Sequence, residues 1–147
     1  MSNATHAATA AAGPAVAPAD AARVGATIDR VDVTIDTYVS TFNETDAQRR
    51  RAAIARAWAA DGAYRDPVMT SDGHAGIDAM LAGVQARFPG FVLKRTSKVD
   101  AHNGSARFSW SLGPASGPTV VEGVDFCELA PDGRLQSVVG FIDKMPG

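Results

Sequence analysis

The chain has 147 residues, the length of one globular domain, and 46% of them are hydrophobic while 20% are charged. Fourteen Lys and Arg and sixteen Asp and Glu leave a formal charge of −2, so there is no basic excess for binding nucleic acid. The single cysteine, Cys127, excludes an intramolecular disulfide and is typical of a reducing compartment. No stretch approaches the ~20 apolar residues of a spanning helix. These features predict one soluble cytoplasmic domain that binds neither nucleic acid nor membrane.

The first segment, residues 1–25, is rich in alanine and has little to bury. Apart from Met1, its first twenty residues include one large apolar side chain, Val16, and no Lys or Arg precedes Arg23. A signal peptide would need a basic start and a strongly apolar centre. We predict a disordered tail at residues 1–25 and a folded domain at residues 26–147, with targeting or partner binding as an alternative role for the tail.

The first half of the folded domain has helical periodicity. Apolar residues recur at spacings of three and four at Ile28, Val31, Ile35, Tyr38, Val39 and Phe42. This spacing predicts a first helix that buries one face. Thr45 and Gln48 resemble a capping box, from which a second helix is predicted to run to Trp58. A third helix is predicted over residues 77–88, where apolar residues again follow the helical period.

The second half of the domain has the alternation of a sheet. Strands are predicted at residues 63–68, 91–101, 105–112, 119–129 and 135–142. Pro67 keeps Asp66 out of helical angles and places it on the first strand or at its end. Asn103-Gly104 indicates a tight hairpin turn. Three helices and one early strand followed by an antiparallel meander predict an α+β fold, with the helices on a curved, mostly antiparallel sheet that encloses a pocket.

Three ionisable side chains are candidates for a functional site. Tyr38 belongs to the apolar face of the first helix, so its hydroxyl needs a buried partner. Asp125 shares strand parity with apolar residues such as Val121 and Cys127, and burial would raise its pKa. Asp66 lies on the first strand or at its end. Each also has a purely structural explanation: a core tyrosine bonded to a carbonyl, an aspartate at a sheet edge or in an ion pair, and a turn-forming aspartate before proline.

The segments that contain these residues resemble the catalytic segments of the bacterial ketosteroid isomerases. Residues 38–43 (YVSTFN), 66–68 (DPV) and 120–125 (VVEGVD) occur in the same order and at similar separations. The resemblance extends from Val31 to Phe141, and the wider group is the NTF2-like superfamily, which includes the SnoaL-like polyketide cyclases. It implies that Asp66 is a general base, and that Tyr38 and a protonated Asp125 donate hydrogen bonds to an enolate oxygen.

The resemblance implies enolisation of a steroid, a polyketide or another hydrophobic ketone, with neither metal nor organic cofactor. The outcome would be a double-bond shift, as in a steroid delta-isomerase, or an aldol-type cyclisation. The residues expected to line the substrate pocket are Phe42, Trp58, Val68, Met80, Phe108 and Trp110. A non-catalytic ligand-binding protein is one alternative. Another is an epoxide hydrolase-like enzyme in which Arg65 or Arg107 joins the two carboxylates.

Other polar residues are assigned structural or surface roles. His74 and His102 lack the i, i+4 partner of a helical metal site, so no metal is predicted. The basic residues Arg49, Arg50 and Arg51 are expected on a solvated helix face. Apolar residues on both faces of the last strands predict that the outer face of the sheet packs against a second copy, which would make the protein a homodimer.

Overall fold

The structure is a computed structural model that describes residues 18–146 of the chain, and the side chains of residues 30–146. The described part contains three helices and a strongly curled seven-stranded mixed sheet. The helices are α1 (Pro18–Asn43), α2 (Ala47–Ala57) and α3 (Gly73–Arg87). The strands are β1 (Trp58–Arg65), β2 (Thr70–Asp72), β3 (Phe91–Arg95), β4 (Asp100–His102), β5 (Ser105–Pro114), β6 (Val121–Leu129) and β7 (Leu135–Lys144).

Helix α1 buries the face that its spacing predicts. Val31, Ile35, Tyr38 and Val39 are all buried against the sheet. The helix begins at Pro18, so residues 18–25, which the sequence assigns to the tail, have a helical backbone. The remaining tail residues, 1–17, lie outside the described part, and their disorder stays a prediction.

Helix α2 begins and ends one residue away from the predicted positions. Its N-cap is Asp46 rather than Thr45: the Asp46 carboxylate accepts a hydrogen bond of 2.8 Å from the backbone N–H of Arg49. The helix ends at Ala57, because Trp58 has extended angles and begins β1. Ile54, Ala57 and Trp58 are all buried. This burial continues the helical spacing across the junction, which explains why the sequence suggested a longer helix.

One arginine of α2 is not on a solvated face as predicted. Arg50 is only 5% exposed, and its Nε donates to Asp78 Oδ1 of α3 over 2.7 Å. A second guanidinium nitrogen donates to the carbonyl of Glu44 and to the side-chain oxygen of Gln85. Arg50 therefore ties α2 to α3 and to the C-terminal end of α1.

The sheet has the strand order β2-β1-β7-β6-β5-β3, and β4 pairs with the other end of β5. All neighbours are antiparallel except β1 and β7, which are parallel. The early strand β1 is thus added to the far side of the antiparallel meander. Asn103 and Gly104 both have positive φ (48° and 77°), which confirms the tight primed turn between β4 and β5.

The alternation in β6 places Asp125 in the interior. Val121, Gly123, Asp125 and Cys127 are buried, whereas Glu122, Phe126 and Glu128 on the other face are exposed. The prediction that Asp125 points to the apolar side of the sheet is confirmed. Among residues 18–146, no helix combines the length and the apolar character that crossing a membrane requires.

Candidate active site

Asp125 lies in the middle of β6, where it pairs with Phe108 of β5 on one side and Gly140 of β7 on the other. Its side chain accepts two hydrogen bonds in the core. The hydroxyl of Tyr38 donates to Oδ2 over 2.7 Å, and the indole N–H of Trp110 donates to Oδ1 over 2.9 Å. The carboxyl group is therefore fixed by one donor from α1 and one from β5.

Trp110 reaches Asp125 because the residue between them has no side chain. Trp110 pairs directly with Gly123 of β6. A Cβ atom on Gly123 would lie 2.4 Å from the Trp110 ring and 2.3 Å from the carbonyl oxygen of Phe141. The indole therefore rests on the bare backbone of β6 and extends its N–H toward the next inward-facing residue.

Burial raises the pKa of Asp125 to about 6. The hydrogen bonds from Tyr38 and Trp110 oppose this change, and the charge of Asp66 adds to it. Burial thus favours the neutral form of Asp125 more than water does for an exposed aspartate. Burial, reinforced by the charge of Asp125, raises the pKa of Tyr38 well above its usual value, so the Tyr38 hydroxyl keeps its proton and acts as a donor.

Asp66 follows the last residue of β1, as predicted, and its carboxylate closes a turn. Oδ1 accepts hydrogen bonds from the backbone N–H groups of Val68 and Met69, each over 2.7 Å. Oδ2 accepts a bond of 2.6 Å from the hydroxyl of Tyr64. Asp66 is only half-buried, so a carboxylate with fixed orientation remains accessible.

Tyr64 is a site residue that the sequence analysis missed. Its side chain is buried, and burial together with the charges of Asp125 and Asp66 raises its pKa far above the usual value. Tyr64 therefore stays protonated and donates to Asp66. Its position two residues before Asp66 could have indicated this role from the sequence, because residues i and i+2 of a strand share a face.

Asp66 and Asp125 both lie close to Gly140. A Cβ atom on Gly140 would lie 3.0 Å from Asp125 Oδ1, 3.2 Å from the Cβ of Asp66 and 3.5 Å from the Tyr64 hydroxyl. The structure therefore brings Tyr38, Asp66 and Asp125 together, with Tyr64 beside them. The missing side chain at Gly140 leaves room for both carboxyl groups.

Five of the six residues predicted to line a pocket divide into two groups, and the sixth, Trp110, bonds to Asp125. Phe42, Trp58 and Phe108 pack edge-on around the Tyr38 ring, with centroid distances of 5.4, 5.8 and 6.1 Å. Trp58 and Phe108 are 0% and 2% exposed, so they belong to the packed core around Tyr38. They support Tyr38, and their contact with a substrate stays a prediction. Val68 and Met80 line a surface groove beside the Asp66 turn.

The other predicted polar residues lie elsewhere. Arg107 is on the outer face of the sheet, 69% exposed, and pairs with Asp100 over 3.0 Å. Arg65 is also exposed. Arg107 thus does not join Asp66 and Asp125 as the epoxide hydrolase alternative requires. His74 Nε2 contacts the carbonyl oxygen of Trp58 over 2.9 Å and ties the start of α3 to β1. Within residues 18–146, no group of three His, Cys, Asp or Glu side chains is placed to hold a metal ion.

Comparison with known proteins shows that the fold and the sequence are SnoaL-like. The family model described as the SnoaL-like domain matches residues 35–138, a range that includes Tyr38, Asp66 and Asp125. The chain belongs to this family, and its fold is the NTF2-like α+β cone that the sequence predicts. No curated protein sequence matches the chain.

The chain is similar to a proposed isomerase of the SnoaL-like family from Agrobacterium tumefaciens strain C58, whose crystal structure is known. The two sequences are 36% identical. The TM-score is 0.74, and the match covers 78% of this chain and 98% of that one. A proposed SnoaL-like polyketide cyclase from Jannaschia sp. CCS1 is 18% identical, with a TM-score of 0.57 over 75% of this chain and 85% of its own. A de novo designed protein with a curved β-sheet is 10% identical, with a TM-score of 0.59 over 78% and 86%. The last two share the fold alone, so the particular reaction has to be argued from the site.

Proposed function

We propose that this protein is a cofactor-independent proton-transfer enzyme that enolises a hydrophobic ketone, as a steroid delta-isomerase does. One observation supports this most directly: Asp66 and Asp125 lie on either side of Gly140 in different environments. Asp66 is accessible and held by three donors, whereas Asp125 is buried with a pKa of about 6. Two carboxyl groups whose environments differ in this way can act as base and acid in one reaction.

Asp66 is the general base in this proposal. Its carboxylate takes the proton from the carbon next to the ketone, and the electrons of the broken C–H bond move to the carbonyl oxygen to form an enolate. The donors from Tyr64, Val68 and Met69 fix the direction of the carboxylate. The same group then returns the proton to the γ-carbon of the dienolate, which shifts the double bond without net proton uptake.

Asp125 and Tyr38 stabilise the enolate oxygen. In its neutral form, Asp125 can donate a hydrogen bond to that oxygen, and burial favours this form. Tyr38 donates to Asp125 in the structure, so its hydroxyl would turn toward the enolate when the ketone binds. Trp110 remains bonded to Asp125 and holds the carboxyl group in place.

Two other functions share parts of this argument. In a cyclase, the enolate made by Asp66 attacks a second carbonyl of the same molecule and forms a carbon–carbon bond. A non-catalytic ligand-binding role is favoured by one observation, the close packing of Trp58 and Phe108 around Tyr38. Product analysis separates cyclisation from isomerisation, and proton exchange separates both from simple binding.

We further propose that the protein is a homodimer that works in the cytoplasm. On the outer face of the sheet, Val124 pairs with Phe141 and Phe126 pairs with Val139. Phe126 and Phe141 are 42% and 54% exposed, and they form an apolar patch that a second copy could cover. Sedimentation at micromolar concentration tests the dimer, with Phe141→Lys as the variant that should shift it to monomer. A wild-type monomer would refute it.

The test of the reaction is hydrogen–deuterium exchange next to the carbonyl, together with appearance of the conjugated enone from a β,γ-unsaturated 3-ketosteroid. Wild type should accelerate one or both over buffer, and Asp66→Asn should lose the acceleration while ligand binding persists. Asp46→Asn is the matched control, because Asp46 is an exposed aspartate whose side chain caps the start of α2. Absence of acceleration in wild type for every ketone tried would leave the binding alternative.

A further inference from the structure

A groove of about 680 Å³ runs along α3 beside the turn that holds Asp66. One wall is formed by residues 68–71 of the turn and β2. The other wall is one face of α3, at Gly76, Ala79, Met80, Gly83, Val84 and Arg87. The groove is thus bounded on one side by the segment that positions the proposed base.

The groove borders the turn that holds Asp66. Val68 and Met69 line it, and the backbone N–H groups of the same two residues donate to Asp66 Oδ1 over 2.7 Å. The segment that bounds the groove therefore also fixes the Asp66 carboxylate.

The shape of the groove suits a long, narrow ligand. Gly76, Ala79 and Gly83 face it with little or no side chain, and a Cβ atom on Gly83 would meet no atom within 4 Å. At 1.5 Å per residue, the helix advances about 16 Å from Gly76 to Arg87. The apolar side chains of Met80 and Val84 lie along this length, so an extended hydrocarbon chain would be buried by it.

The charge of the groove is set by Arg87, at the C-terminal end of α3. Arg87 is the one charged residue among those that line it. Its guanidinium group lies 5.9 Å from the centre of the Phe88 ring. Among residues 30–146, no carboxylate forms an ion pair with it. A guanidinium at the end of an apolar groove is complementary to a carboxylate on an apolar chain.

We propose that this groove binds an elongated carboxylic acid, with its hydrocarbon chain along α3 and its carboxylate on Arg87. The binding of the chain and of the carboxylate rests only on the groove. Arg87 is then a residue that determines specificity for acidic over neutral substrates.

The test is calorimetric binding of decanoate to the full chain, compared with its neutral amide, decanamide. Decanoate should bind saturably and at least tenfold more tightly than decanamide. Gly83→Leu should abolish decanoate binding, because the new side chain enters open groove space without meeting the protein. Ala82→Leu is the matched control, since Ala82 is exposed on the same helix and does not line the groove.

A second pair of variants tests the charge. Arg87→Gln should bring decanoate binding down to the decanamide level, whereas Lys94→Gln, which removes an exposed cation of β3, should leave it unchanged. The proposal is overturned if decanoate fails to bind, if Gly83→Leu binds it as wild type does, or if decanamide binds equally well. Decanoate binding without proton exchange on any ketone would refute the proposed function and leave the groove assignment standing. Proton exchange without decanoate binding would refute the groove assignment and leave the proposed function standing.

Discussion

The hydroxyl of Tyr38 donates to Oδ2 of Asp125 over 2.7 Å, and this bond joins the first helix to the sixth strand across 87 residues of sequence. Both groups are buried, and both have their pKa raised by burial. The bond is therefore made between a hydroxyl that keeps its proton and a carboxyl group that changes its charge near pH 6. Stability and catalysis should both depend on that change.

The first prediction concerns stability against pH. The pKa of Asp125 is about 6 in the folded chain and 3.8 as a reference for the unfolded chain. The folded state then binds the proton more tightly, so the stabilisation is present below pH 3.8 and is lost as pH rises through 6. Two pKa units correspond to about 3 kcal/mol. Denaturant unfolding should show that Asp125→Asn gains about this much relative to wild type between pH 4 and pH 7. A constant difference across this range would contradict the linkage.

The second prediction concerns activity against pH. If neutral Asp125 donates to the enolate, kcat/KM for proton exchange should fall about tenfold for each pH unit above 6. Asp125→Asn carries an uncharged donor at every pH, so its profile should be flat there. Asp125→Leu should lose ~10²–10³ in turnover. Leucine also leaves Tyr38 and Trp110 without an acceptor, at ~1–3 kcal/mol each, so asparagine is the more informative variant. A fall above pH 6 in Asp125→Asn would assign the titration to another group.

The third prediction concerns Gly140. In Gly140→Ala, the new methyl group would lie 3.0 Å from Asp125 Oδ1 and 3.2 Å from the Cβ of Asp66, so both aspartates must move apart. Overpacking should lower the free energy of unfolding by ~1–3 kcal/mol. We expect the activation free energy for turnover to rise by more than this. Ala82→Ser is the control, because Ala82 is exposed on α3 and lines neither the groove nor the site. Full activity in Gly140→Ala would show that the spacing of the aspartates does not matter.

Local periodicity was enough to predict much of the fold. The buried face of α1, the inward direction of Asp125 and the Asn103-Gly104 turn each follow from spacing within one element. These features depend on the few residues around them, so the sequence alone indicates them. The resemblance of three short segments then indicated the family.

Features that depend on tertiary register could not be predicted in this way. Trp110 bonds to Asp125 only because β5 and β6 pair so that Gly123 lies opposite the indole. The burial of Arg50 depends on the approach of α3, which brings Asp78 to it. The packing of Trp58 and Phe108 around Tyr38 likewise comes from three separate elements. Each contact joins segments whose separation in the chain carries no local signal.

The fourth prediction concerns the ion pair between Arg50 and Asp78. The two side chains are 6% and 19% exposed, and their contact is 2.7 Å. Asp78→Asn leaves the buried guanidinium without a counter-charge, so unfolding free energy should fall by ~3–5 kcal/mol. Asp132→Asn is the control, because it breaks the exposed pair with Arg134 and should cost under ~1 kcal/mol. Urea unfolding of the two variants at neutral pH measures the difference, and equal midpoints would show that the buried pair is dispensable.

The last prediction concerns Tyr64, which acts through Asp66. Its hydroxyl donates to Asp66 Oδ2 over 2.6 Å, while the backbone of Val68 and Met69 holds Oδ1. In Tyr64→Phe the carboxylate keeps its backbone donors, so the turn should persist, but Oδ2 loses the bond that aims it. Losing one neutral hydrogen bond costs ~0.5–1.5 kcal/mol, so the fold should survive.

The kinetic signature separates this positioning role from a structural one. With the carboxylate less well aimed and its negative charge less stabilised, kcat for proton exchange should fall while KM stays near the wild-type value. Tyr38→Phe should instead affect the donor side of the reaction. If Tyr64→Phe changed KM alone and left kcat at the wild-type value, Tyr64 would be a packing residue only.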